Sequence, residues 1–249
     1  MKPSVMVGLA LSLTGCVSTS ESPLVEPSAS LLEQAESRVE LGLGYLEHGD
    51  MARAKQNLER ALEHMPDYYR AQLSMAYYYE AVGDTPAAAQ QYRQTLKQHP
   101  SNSNLLNNYG TFLCKQGKYG LADIYFNKAI HQPNYYQADS SYENAAFCAL
   151  KSGDKAQAKT YFQQAINHNP YRLRSLYQLT QLNIAEQEYQ QARQRLLQFQ
   201  EQWGVQRTSL ELLIQIEDKA GNSALKHAYQ QQLLSLTNHA HLSQSHSQE

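Results

Sequence analysis

Apolar side chains recur through residues 35–237 of this 249-residue chain at spacings of three and four, which keep one stripe of an α-helix aligned. The stripe is interrupted at a nearly constant interval. Gly49-Asp50, Gly83-Asp84, Gly117-Lys118 and Gly153-Asp154 are spaced by 34, 34 and 36 residues. Ala54, Ala88, Ala122 and Ala158 follow each turn by five residues, Leu58, Tyr92, Phe126 and Phe162 by nine, and Pro66, Pro100 and Pro170 by seventeen. The pattern predicts pairs of antiparallel helices, each about 14 residues long. Glycine ends the first helix in a left-handed conformation and the following Asp caps the second. A small Ala lets the two helices cross closely, the aromatic or Leu fills the seam to the next pair, and Pro stops the second helix.

A 34-residue period with these positions resembles the tetratricopeptide repeat. The opening helices agree, with Leu41-Gly42 then Tyr45, Met75-Ala76 then Tyr79, and Tyr109-Gly110 then Leu113. The expected fold is all-α, a right-handed superhelical solenoid with repeats at 35–68, 69–102, 103–138, 139–172 and 173–206 and a degenerate one at 207–237. Stacked pairs of this kind share one continuous core that no single pair could bury alone. Three departures stand out. Repeat three carries two extra residues around Gln132-Pro133-Asn134; repeat five has Gln187 in place of the turn glycine and Gly204 in place of the proline; the last repeat has Lys226 where the crossing alanine belongs. From Asn238 the polar sequence NHAHLSQSHSQE is expected to fray as a disordered tail, 238–249.

The N-terminus adds a different kind of information. Lys2 precedes a mostly apolar run from Ser4 to Thr14 that is too short to cross a bilayer, which needs about 20 residues. It reads as the core of a signal peptide, residues 1–15. Leu13-Thr14-Gly15-Cys16 resembles the bacterial lipobox. That resemblance implies cleavage before Cys16, diacylation of its sulfur and usually a third acyl chain on the new amine. Two or three chains anchor a protein durably without a transmembrane helix. By resemblance to the sorting rules of enteric-type bacteria, Val17 rather than Asp after the lipidated residue favours the outer membrane. Residues 16–34 begin with VSTSESPLVEPSAS after the cysteine, a composition that reads as a flexible tether.

Charge narrows the partners. Lys plus Arg total 21 against 23 Asp plus Glu, so nothing electrostatic points to nucleic acid. No phosphate-cradling glycine loop, HExxH, CxxC or nucleophile elbow occurs, so the reading is of a non-enzymatic binding protein without cofactor or metal. His239, His241 and His246 lie in the polar tail and read as bystanders.

The informative surface is the concave face. In this repeat class, positions two, five, nine, twelve and thirteen of the first helix line the inner groove. Repeat one places Glu36, Val39, Leu43, Leu46 and Glu47 there, and repeat two Arg70, Leu73, Tyr77, Glu80 and Ala81. Repeat three offers the polar set Asn104, Asn107, Thr111, Cys114 and Lys115. An apolar groove formed by Val39, Leu43, Leu46, Leu73 and Tyr77, with Asn107 and Thr111 beyond it, is expected to take an extended or helical partner segment. Alternatively, the tether or a neighbouring helix covers Val39, Leu43 and Leu46. Tyr45 and Tyr79 occupy core positions and read as packing. Cys114 and Cys148 fall near the ends of first helices in adjacent repeats; they read as a disulfide pair or as two buried thiols.

Residues 105–130, LLNNYGTFLCKQGKYGLADIYFNKAI, are similar to the type IV pilus biogenesis and stability lipoprotein family, PilF/PilW. The matching positions are Asn107, Asn108, Tyr109, Gly110, Phe112, Leu113, Cys114, Gly117 and Tyr119. The resemblance implies a pilotin: a lipid-anchored protein on the periplasmic face of the outer membrane; the chain is expected to be monomeric. Such a protein binds secretin subunits and promotes their localisation and multimerisation. A rival reading is a scaffold for another envelope machine, such as outer-membrane protein insertion or cell-wall synthesis.

Overall fold

The computed structural model describes residues 27–245, and these form twelve α-helices. They are α1 (Pro27–Glu47), α2 (Met51–His64), α3 (Tyr69–Ala81), α4 (Thr85–Gln98), α5 (Ser103–Lys115), α6 (Tyr119–Ile130), α7 (Ala138–Ser152), α8 (Lys155–His168), α9 (Leu173–Ala185), α10 (Tyr189–Trp203), α11 (Arg207–Lys219) and α12 (Ser223–Ser245). Each consecutive pair packs as an antiparallel hairpin, and each hairpin packs on the next, giving the tetratricopeptide solenoid.

Local chemistry sets the turns. Gly153 ends α7 at φ 88°, a left-handed conformation, and the Asp154 carboxylate accepts a hydrogen bond from the Gln157 N–H at 2.9 Å to open α8. Asp50 and Asp84 cap α2 and α4 in the same way, bonding the N–H of Arg53 at 3.1 Å and of Ala87 at 3.0 Å. At repeat five the chain keeps this geometry without glycine, with Gln187 at φ 61°. The inserted loop of repeat three likewise turns on Asn134 at φ 59°.

The seam positions behave as the period predicts. Leu58, Tyr92, Phe126 and Phe162 are fully or almost fully buried, and Ala54, Ala88, Ala122 and Ala158 beneath them have no exposed surface. Ile166 packs against both the central cluster, which runs from repeat two to Leu179 of repeat five, and the C-terminal cluster of repeats five and six, so the core runs without a break across that junction.

Where the helices cross, Gly110 is tightly enclosed. A Cβ there would sit 2.9 Å from Phe126 Cδ1 and 3.2 Å from the Ala122 carbonyl oxygen. Gly44, by contrast, has no atom within 4 Å of its would-be Cβ. Gly110→Ala is therefore expected to lower stability by about 1–3 kcal/mol through overpacking. Gly44→Ala is expected to raise it, by up to about 1 kcal/mol, because alanine is the better helix former. Urea unfolding of the two variants checks the opposite signs.

Both ends of the solenoid are more helical than composition suggests. α1 starts at Pro27, so residues 27–34, assigned to the tether, are helix. Pro at a first helical position is already set for the helix, and Leu31, Leu32, Glu33 and Gln34 are good helix formers. At the other end α12 runs to Ser245, through most of the expected tail, because no Gly or Pro after Gly221 interrupts it. Cys16 and the signal segment lie outside the described residues, as do the side chains of His239, His241 and His246.

Candidate partner-binding surface

The first helices of the repeats carry the expected groove, and the structure divides its residues. Val39 is fully buried against Ala61 and Ala71, in a small cluster that Leu43 only flanks. Leu73 is 8% exposed and belongs to the central core beside Ala76 and Tyr92. Asn107 is buried and accepts a hydrogen bond from Asn144 Nδ2 at 3.1 Å across the α5–α7 seam. These three are interior residues, a correction to the sequence reading. The reason is geometric: α1 packs against both α2 and α3, so the stripe through Ala35 and Val39 points into the hairpin junction. Leu43, Leu46, Tyr77 and Thr111 keep partial exposure. The Thr111 hydroxyl donates back to the Asn107 carbonyl at 3.1 Å.

Next to Tyr77 the concave side opens into a cavity of about 410 Å³, lined also by Glu80, Phe112 and Lys115. Glu80 accepts from Lys115 Nζ and from the Tyr92 hydroxyl, each at 2.8 Å. Burial, with Glu80 nearby, pushes the Tyr77 hydroxyl above its ordinary range. The arrangement offers an aromatic wall beside a fixed ion pair, suited to holding a peptide with an apolar side chain. The groove is thus shorter and more polar than an unbroken trough.

Cys114 and Cys148 are brought together. Their Cα atoms lie 5.8 Å apart at the C-terminal ends of α5 and α7, and the sulfurs are within bonding distance.

Two surfaces were not anticipated. The outward face of α1 is open around Ser37, Glu40, Leu41, Gly44 and Tyr45, with Leu41 46% exposed and the Arg53 guanidinium 5.6 Å from the centre of the Tyr45 ring. Tyr45 therefore lines a surface instead of packing in a core. The other surface is a groove of about 670 Å³ between α8 and α10, with Arg195 and Trp203 on its wall. Burial pulls the Arg195 guanidinium below its ordinary range, against an opposing pull from Glu188. No period marks this groove, because its sides come from helices in different repeats.

Among the described residues no helix is long and apolar enough to cross a membrane, and no three His, Cys, Asp or Glu side chains converge as metal ligands would.

Residues 73–139 match a tetratricopeptide repeat model and residues 119–170 match another. The chain is 31% identical to the type IV pilus assembly protein PilF of Pseudomonas aeruginosa over 186 residues, 75% of this chain and 74% of that protein. A solved structure of Pseudomonas aeruginosa PilF superposes with a TM-score of 0.66 at 29% identity, covering 83% of this chain and 93% of that one. The crystal structure of PilW, described as a widely conserved type IV pilus biogenesis factor, superposes with a TM-score of 0.62 at 25% identity, covering 81% and 92%. With this identity spread over three-quarters of both chains and the same solenoid in PilF and PilW, the chain belongs to the type IV pilus biogenesis family of tetratricopeptide proteins.

Proposed function

We propose that the protein is a non-enzymatic pilotin. It is held on the periplasmic face of the outer membrane by acyl chains on Cys16, and it binds secretin subunits of the type IV pilus and promotes their multimerisation. The observation that carries this reading is the identity to PilF across most of both chains, joined to the Leu13-Thr14-Gly15-Cys16 sequence. Physics supports the combination. An acyl anchor confines the concave surface to the membrane where a client must insert, which raises the effective concentration of the binding site there. The surface that remains open around Leu46 and Tyr77 is the place for the client segment.

Two measurements test the proposal in the native bacterium. Cys16→Ser is expected to move the protein from the outer-membrane fraction to the soluble periplasm and to reduce heat-resistant secretin multimers and surface pili. Leu46→Asp combined with Tyr77→Ala, with helicity and thermal midpoint retained, is expected to cut the secretin captured from outer membranes about tenfold. Normal multimers in a strain lacking the whole protein would rule out the assembly role. Undiminished capture by the double variant would move the binding site elsewhere on the solenoid.

A further inference from the structure

The groove between α8 and α10 lies on second helices of repeats four and five, whereas Tyr77 and Thr111 belong to first helices of repeats two and three. Three features of it converge. Along α10, Gln191, Gln194, Gln198 and Gln202 follow one another at steps of three, four and four, which sets four amide side chains on one ridge. All four are exposed. An amide side chain donates and accepts at once, as a free peptide backbone requires.

Within the ridge sits a cation. Arg195 Nη1 donates to Asn183 Oδ1 at 2.8 Å and Nη2 to Gln163 Oε1 at 2.9 Å. Among the described residues both of these hydrogen-bond partners are neutral amides, unlike Arg193 on the same helix, which is paired with the Glu217 carboxylate. At the C-terminal end of α10 three aromatic rings gather. Tyr171 lies 5.2 Å from Trp203 and 6.1 Å from Phe199, centroid to centroid. Trp203 and Tyr171 are 47% and 49% exposed. An aromatic group of this kind left open to water is the usual anchor pocket of a protein interface.

We infer that this groove is a second protein-binding site, made for an extended segment that sets a carboxylate on Arg195 and a bulky apolar side chain on the Trp203 cluster. The spacing is given by the helix. Arg195 and Trp203 are eight residues apart, about 12 Å along α10. An extended chain covers about 13 Å in four residues, and side chains four apart share a face. The fitting segment therefore reads Asp or Glu, three residues of any kind, then Phe or another large apolar residue.

Trp203 is the only tryptophan of the chain, so its fluorescence reports on this site alone. The probe is a blocked heptapeptide, Ser-Asp-Thr-Ser-Thr-Phe-Ser, titrated into the full-length protein. A saturable change in emission is expected, with affinity falling about tenfold when Asn replaces Asp. The same loss is expected when Asp and Phe are made adjacent in a peptide of equal composition. Arg195→Gln is expected to erase the preference for Asp over Asn. The assignment is overturned if emission does not saturate, or if the three peptides bind equally to the unmodified protein, a comparison that needs no variant to fold. It is also overturned if sedimentation shows a dimer that Trp203→Ala abolishes, which would give the groove to a second copy.

Discussion

Cys148→Ala is expected to lower the thermal midpoint of the mature protein by about 10 °C. The Cα atoms of Cys114 and Cys148 are 5.8 Å apart and 34 residues separate them in sequence. Closing a loop of that length removes about 4 kcal/mol of unfolded-chain entropy. For a domain of this size each kcal/mol moves the midpoint by roughly 2–4 °C. Circular dichroism melts with and without reductant isolate the effect: reductant should bring the unmodified protein down to the variant and leave the variant where it is. Non-reducing mass analysis should show the two cysteines linked. Labelling of both thiols in folded, unreduced protein would reject the bond and with it the expected shift.

Arg193→Met should cost about 3 kcal/mol, because it strands a charge. Glu217 has no exposed side-chain surface, and its carboxylate accepts from Arg193 Nη2 at 2.8 Å, again from Arg193 Nε, and from Asn222 Nδ2 at 2.7 Å. Burial alone would push this carboxyl up, but the bonds from Arg193 and Asn222 and the guanidinium charge hold it below its ordinary value of 4.5. A depressed carboxylate contributes stability that is present above its unfolded pKa and is lost as pH falls through the lower folded value. In the intact protein that loss falls below pH 4.5. Without Arg193 the burial effect dominates and the sign reverses, so the variant's deficit should narrow as pH falls from 7 towards 4.5. Parallel urea titrations across that interval give the difference; a deficit independent of pH would mean that lost packing, not the stranded carboxylate, is responsible.

The repeat architecture was legible because its determinants are local. A left-handed glycine, an Asp cap three residues from its target N–H and an alanine at a helix crossing are each readable within a few residues. The reading held even where one determinant is missing: Gln187 adopts φ 61° in the absence of glycine because the hairpin on either side dictates the turn. The candidate groove was only partly legible. Counting along one helix finds the stripe that holds Val39, Leu43 and Leu46, but not which side of that stripe the neighbouring helix covers. Val39 went inside against Ala61 and Ala71, from α2 and α3, and Leu73 and Asn107 were absorbed by their own neighbours. Tyr45 reversed in the other direction, from packing to the wall of an opening that it shares with Leu41 and Arg53.

By itself the sequence determined the period, the turns, the seam residues and the family resemblance carried by residues 105–130, because each is written in residues a few positions apart, most of them recurring from repeat to repeat. Tertiary structure alone decided which groove residues stay open, that Cys114 and Cys148 meet, that Glu217 is buried against Arg193, and that α8 and α10 frame a groove. Those facts involve contacts between different helices, and the angle and closeness at which the helices and hairpins pack, not the order of residues along any one of them, set them.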